Sequence, residues 1–237
     1  MLSKLQTGLR FYRLTRSNSC VSAYNRSVSR VVDQLLHSQI RVAKTSSFDL
    51  ERPDAELRRL SGTGTVMAIT KGIYALVPEG NRGTSSAWRP TLEGAALGIA
   101  AALHTPDMVA LTGPSAARAL GCYPRALGVG YVSVPKQRRK RETPWGTIRF
   151  VERDIDKLDT VRVETDLGAG WTTSPEQTAL DLCRSRPDWQ ISDEARNEMI
   201  RHLAARIDWG LIDEIARETR GVKTLQRLRS QLDTPQT

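Results

Sequence analysis

A short amphipathic helix followed at once by a glycine-punctuated hairpin is predicted in residues 54–77, DAELRRLSGTGTVMAITKGIYALV, and this stretch constrains the fold most. Leu57 and Leu60 are three residues apart and share one face of a helix, while the two arginines beside them point elsewhere. Gly62 and Gly64 predict the end of that helix. The helix therefore has one apolar face to bury and one basic face left over.

The hairpin is indicated by two β-favouring runs, 65–70 and 73–77, with the dipeptide Lys71-Gly72 between them. A short helix and a small hairpin with a basic tip form the layout of a winged helix-turn-helix. In that layout the helix enters a DNA groove and the hairpin, or wing, lies over phosphates. The same succession also occurs in α/β proteins that bind no DNA, so the layout alone leaves both interpretations open.

Basic residues lie where such a module would touch DNA. We predict that Arg58 and Arg59 on the helix, with Arg52 just before it, contact phosphate or guanine. Lys71 on the wing and Lys44 would hold the DNA backbone. The formal net charge of +9 and the pI near 9.9 also favour an anionic partner, with nucleic acid the first candidate.

A second basic segment follows a predicted strand later in the chain. It places five basic residues within six positions: Lys136, Arg138, Arg139, Lys140 and Arg141. Such a run is usually a solvated loop because like charges repel one another. The functional interpretation is contact with RNA, DNA or an acidic protein face, and a plain RNA-binding module that uses this run is therefore an alternative function.

The sequence shows no catalytic constellation, and we expect no enzymatic activity, cofactor or bound metal. The three histidines are scattered, and the three cysteines have no CxxC spacing, which fits a reducing cytoplasm. Carboxylates at 152, 154, 156 and 159 suggest a nuclease of restriction-endonuclease type as a further alternative, but the carboxylate-x-lysine step is missing. No run approaches the roughly 20 apolar residues that a membrane span needs.

Composition divides the chain into three parts. Residues 1–26 are basic and serine-rich without an acidic residue, which leaves open an organellar transit peptide, an arm along a nucleic-acid backbone or a stretch upstream of the true start. We expect little order there. The winged helix-turn-helix would occupy residues 27–82, and a larger mixed α/β domain would occupy residues 83–237. The predicted fold class is therefore α+β, ending in a helical layer.

Apolar periodicity and capping signals predict the remaining elements. Helices are expected at 27–38, 92–103, 116–120, 175–184, 192–207, 209–219 and 222–232, and strands at 109–112, 131–135 and 145–151. A one-turn helix starting at Ser46 and Ser47 would precede the DNA-recognition helix, which is the short helix that carries Arg58 and Arg59. Asp181, inside the predicted helix 175–184, is expected to be partly buried and bonded to a neighbouring loop, with a catalytic acid as the alternative.

Three segments taken together, 57–76, 110–121 and 172–183, resemble the AbiEi family of bacterial type IV toxin–antitoxin antitoxins. The wing pattern is matched by Gly64, Lys71, Gly72 and Tyr74. A turn-helix pattern is matched by Gly113, Ser115, Ala116 and Gly121. A helix start is matched by Thr173, Thr178, Leu180, Asp181 and Leu182.

This resemblance implies an N-terminal domain that binds double-stranded DNA at promoter repeats and represses its own operon. It also implies a C-terminal domain that counters a nucleotidyltransferase toxin without forming a stable complex with it. We therefore expect a transcriptional repressor and antitoxin.

Overall fold

The computed structural model describes residues 30–83, 87–184 and 188–233. The basic extension predicted for residues 1–26 lies outside them. The first part of the described chain contains α1 (30–37), β1 (Val42–Lys44), α2 (Pro53–Gly62), β2 (Val66–Thr70) and β3 (Ile73–Leu76). The second part contains α3 (Leu92–Leu103), β4 (Ala110–Leu111), α4 (Gly113–Ala119), β5 (Val129–Val134), β6 (Arg141–Thr143), β7 (Gly146–Glu152), β8 (Thr160–Thr165), β9 (Gly168–Thr173), α5 (Pro175–Cys183), α6 (Asp193–Ala204), α7 (Trp209–Glu218) and α8 (Val222–Asp233).

Helix α2 begins and ends as its sequence predicts. Pro53 occupies the first turn, where a missing N–H costs nothing, and Asp54 places a carboxylate near the positive end of the helix dipole. The helix ends at Gly62, Thr63 follows as its C-cap, and Gly64 takes a φ of +66°. A glycine is required there because the backbone of Gly83 passes so close that a Cβ at position 64 would lie 2.2 Å from its carbonyl oxygen.

The predicted hairpin is confirmed as β2 and β3, which pair antiparallel around a turn at Lys71 and Gly72. Gly72 has a φ of +72°, the left-handed conformation that such a turn uses. Strand β1 joins the other edge of β3, and the first sheet therefore has the order β1-β3-β2. The segment before α2 contains a single 3-10 turn, Thr45–Ser47, where we expected a one-turn helix to start at Ser46 and Ser47.

Both faces of the first sheet are covered. Val66 and Leu76 pack against the apolar sides of α1 and α2. Ile73 and Ala75 point the other way and pack against α3. Strand β3 therefore has buried residues on both of its faces. Through Ile73 and Ala75, the first sheet shares a hydrophobic core with the second part of the chain, across the predicted domain boundary.

Helix α3 lies between the two sheets, and ten of its twelve residues are buried. Its Ala- and Gly-rich sequence is typical of a helix that packs closely on more than one side. A Cβ at Gly98 would lie 2.6 Å from a methyl group of Val42 in β1. Val132 and Ile148 of the second sheet pack against α3 from the opposite direction. The small residues of α3 thus allow the two sheets to approach each other.

The second sheet has the order β6-β7-β5-β4-β9-β8. Strands β5 and β7 pair with each other and run parallel, because β6, which comes between them in the sequence, returns the chain in the opposite direction. Helices α4 and α5 pack on the far face of this sheet, and α6, α7 and α8 pack against those two helices, so the chain ends in a helical layer, as predicted. Ser174, Ser192 and Asp208 cap α5, α6 and α7 with their side-chain oxygens. The described helices include none whose length and apolarity would let it cross a membrane.

Candidate nucleic-acid interface

The arginines predicted on and just before α2 differ in their exposure to solvent and in whether a carboxylate lies beside them. Arg58 is exposed on the helix, and Arg52 is exposed just before it. Arg59 forms an ion pair with Glu56, one turn earlier, at 2.6 Å, and its side chain is 27% exposed. Much of the charge of Arg59 is therefore balanced within the helix itself, whereas Arg58 presents its charge to solvent.

The two lysines predicted to hold the DNA backbone, Lys71 on the wing and Lys44, lie at the same end of the first sheet. Lys71 is exposed in the turn between β2 and β3. Lys44 is the last residue of β1 and pairs in register with Ile73, the first residue after that turn. The amide of Thr45 donates to the carbonyl oxygen of Gly72 at 3.0 Å and fixes the wing tip beside the end of β1.

The wing also touches the second sheet. The hydroxyl of Thr70, the last residue of β2, donates to the carbonyl oxygen of Glu142 in β6 at 3.4 Å. β6 is an edge strand of the second sheet, and β2 is an edge strand of the first. Because the basic segment 136–141 leads directly into β6, this contact brings that segment next to the wing. We call this line of contact, from Lys44 and Lys71 to Arg138 and β6, the seam.

The basic segment is partly anchored in the fold. The Nε of Arg138 donates to Nε2 of His104 at 2.9 Å, and its Nη2 donates to the carbonyl oxygen of Leu103 at 3.3 Å. Arg141 begins β6 and is half-buried. Lys140 forms an exposed ion pair with Glu142 at 2.8 Å. The two remaining basic residues, Lys136 and Arg139, are exposed.

His104, at the C-terminal end of α3, lies within the influence of Lys44 from the first sheet and of Arg138 from the segment 136–141. Burial, the guanidinium of Arg138 and the ammonium of Lys44 all lower the pKa of this imidazole. Lys44 belongs to the first sheet and Arg138 to the second part of the chain. The positive charges of both residues act on the His104 ring. Sequence reasoning missed His104, because neither its spacing nor its neighbours in the chain indicate a role.

The acidic residues considered for a nuclease are arranged differently from a metal site. Glu152 is exposed at the end of β7. Asp154 is hydrogen-bonded to the ammonium of Lys157 at 2.8 Å, which lowers the pKa of the carboxylate. Across the parts of the chain that the structure describes, no three His, Cys, Asp or Glu side chains are grouped so that they could hold a metal ion.

Asp181 lies on the far side of the second sheet from α3, and it is 1% exposed, which is more buried than expected. Its carboxylate accepts from Thr112 at 3.1 Å and from Gln177 at 2.9 Å, and it is paired with Arg153. These partners come from α5 itself, from the residue before α4 and from the residue after β7. We therefore assign Asp181 to the stability of the fold and place the candidate interface at the seam and on α2.

No protein-family model and no curated protein matches the chain. Among solved structures, the chain is similar to the Rv2827c protein from Mycobacterium tuberculosis, at 19% sequence identity and a TM-score of 0.41, with 90% of this chain and 83% of that chain covered.

Proposed function

We propose that the protein binds double-stranded DNA with a surface made from α2, the wing and the basic segment 136–141. The observation that supports this proposal best is the seam. Residues that are about a hundred positions apart in the sequence, Lys44 and Arg138, act on the same imidazole, and Thr70 of the wing is bonded to Glu142 of β6. Several cations brought together from distant parts of the chain suit binding to a phosphate backbone, where each neutralised phosphate adds to affinity.

In the proposed mode, the first part of the chain acts as a winged helix-turn-helix. The exposed side of α2, with Arg58, enters the major groove, and Lys71 lies over the adjacent phosphates. The single 3-10 turn Thr45–Ser47 takes the place of the helix that usually precedes the recognition helix. Exposed Lys136 and Arg139 extend the contact along the same DNA backbone.

Binding is tested by fluorescence anisotropy with a mixed-sequence DNA duplex and with single-stranded RNA. We expect Arg58→Ala with Arg59→Ala, and separately Lys136→Ala with Arg139→Ala, to weaken duplex binding by about tenfold or more, because each change removes two cations from the surface. The matched control, Arg217→Ala with Lys223→Ala, removes two exposed cations from α7 and α8 and should have little effect. Unchanged affinity in the α2 variant would refute the proposed mode.

The rival RNA-binding function makes a different prediction in the same experiment. It requires that neutralising the 136–141 segment abolishes binding to RNA while the α2 substitutions have no effect. A nuclease would require that the protein cuts DNA with Mg²⁺ and loses this activity on substitution of Glu152 or Asp154. Our proposal assigns the chain no bond-making chemistry.

The resemblance to AbiEi antitoxins suggests a cellular role for the proposed DNA binding. The protein would act in the cytoplasm, repress its own operon at promoter repeats and counter a nucleotidyltransferase toxin, without a stable complex between the two proteins. Co-expression tests this part: growth arrest caused by a nucleotidyltransferase encoded beside this gene should be relieved by the intact chain. Relief that persists in the α2 double variant would separate antitoxin activity from DNA binding.

A further inference from the structure

His104 accepts a hydrogen bond in this structure, and its imidazole is therefore neutral here. It ends α3, is half-buried, and accepts the hydrogen bond from Nε of Arg138 at 2.9 Å through Nε2. A ring nitrogen that accepts a hydrogen bond carries no proton. Arg138 is held a second time by the carbonyl oxygen of Leu103, so its guanidinium is turned inward toward the end of α3.

The charged groups that face this imidazole come from other elements. Arg138 belongs to the segment between β5 and β6, and Lys44 ends β1; both are cationic and both oppose protonation of the ring. The 3-10 turn Pro106–Met108 follows α3 and carries Asp107, whose carboxylate accepts from the indole N–H of Trp171 at 3.3 Å. In the free protein, burial and the fields of Arg138 and Lys44 lower the pKa of His104, which favours the neutral ring.

We propose that His104 couples the binding of a phosphate backbone at the seam to the uptake of one proton. Phosphate oxygens placed against Lys44 and Arg138 offset the positive field at the ring, so the proton binds more tightly in the complex than in the free protein. Protonation removes the acceptor on Nε2, and the Nε–H of Arg138 then donates to phosphate instead. This inference rests on the proposed function and makes His104 a positioning residue that acts through Arg138.

The direction of the pH effect follows from linkage. Since the complex holds more protons on His104 than the free protein does, affinity for DNA rises as the pH falls through the interval between the free and bound pKa values. A difference of one pKa unit gives at most about a tenfold gain in affinity.

The test measures anisotropy of a labelled mixed-sequence duplex at constant salt, at about pH 7.5 and about pH 5.5, around the ordinary pKa of histidine. The variant is His104→Gln, which can offer a carbonyl acceptor to Arg138 but takes up no proton. The chain has only three histidines, so His37→Gln and His202→Gln are complete matched controls. We expect the wild type and both controls to bind several-fold more tightly at the lower pH, and His104→Gln to lose most of that gain.

Two results would overturn the inference while leaving DNA binding in place. One is a pH response of His104→Gln equal to that of the wild type. The other is an NMR titration in which the His104 ring protonates at the same pH with and without the duplex, where we expect a higher pKa in the complex. Absence of duplex binding at both pH values would instead refute the proposed function, and this inference with it.

Discussion

The guanidinium of Arg153, just after β7, and the carboxylate of Asp181, inside α5, form an ion pair in which the side chains are 15% and 1% exposed. The same carboxylate accepts hydrogen bonds from Thr112 at the start of α4 and from Gln177 on α5. Arg184 lies 3.6 Å from it at the end of that helix. The pair therefore fastens the second sheet to the helical layer.

The first prediction concerns this pair. Asp181→Ala leaves Arg153, which is only 15% exposed, without its carboxylate partner, so we expect the free energy of unfolding to fall by up to about 3–5 kcal/mol. Urea titration of the wild type and the variant measures this loss in the free energy of unfolding. The control is Asp213→Ala, which breaks an ion pair with Arg229 whose side chains are 44% and 48% exposed. Such an exposed pair contributes at most about 1 kcal/mol, and equal losses in the two variants would contradict the role of Asp181.

The second prediction compares two glycines at the end of α2. Gly64→Ala should destabilise the protein by at least about 1–2 kcal/mol, because a φ of +66° is unfavourable for alanine and the new Cβ would meet the backbone of Gly83. A Cβ at Gly62 meets nothing within 4 Å. Gly62→Ala should therefore leave stability unchanged or raise it by about 0.5–1 kcal/mol. Thermal unfolding of both variants provides the measurement; similar shifts would show that the close approach is unimportant.

Elements with strong local signals were predictable from the sequence. Ser174 and Pro175 mark the start of α5, and Lys71-Gly72 marks the hairpin turn, because capping and turn geometry depend on residues within a few positions. The pairing of Arg59 with Glu56 was also available from their spacing of three on a helix, although we treated Arg59 only as a DNA contact. Local physics thus accounts for most helices and strands.

Contacts between distant residues were not predictable. Thr112 and Arg153 reach Asp181 from 69 and 28 residues away, and Thr70 reaches Glu142 across 72 residues. No periodicity encodes such partners. The seam was therefore invisible in the sequence, where its two halves were predicted as separate basic segments, and only the packing of α3 between two sheets brings them together.

The third prediction concerns alkaline stability. Burial raises the pKa of Tyr131 to about 12, and its hydroxyl donates to the carbonyl oxygen of Trp189. An unfolded tyrosine ionises near pH 10, so between about pH 10 and 12 the folded state retains a proton that the unfolded state releases, and stability falls as the pH rises. Tyr131→Phe should show a shallower fall in the free energy of unfolding over this interval. Tyr74→Phe makes the same chemical change on the first sheet, and an equal flattening there would contradict the assignment to Tyr131.

The fourth prediction tests the proposed DNA surface by removing the carboxylate that pairs with Arg59. Glu56 balances Arg59 at 2.6 Å, so Glu56→Gln removes a negative charge from α2 and releases the guanidinium to contact phosphate. Affinity for a DNA duplex should rise several-fold, and the slope of log affinity against log salt should steepen by about 0.9, as for one further neutralised phosphate. Glu79→Gln removes the same charge from the exposed 3-10 turn Glu79–Asn81 and serves as the control. If both variants bind alike, the gain reflects net charge alone, and Arg59 lies outside the DNA surface.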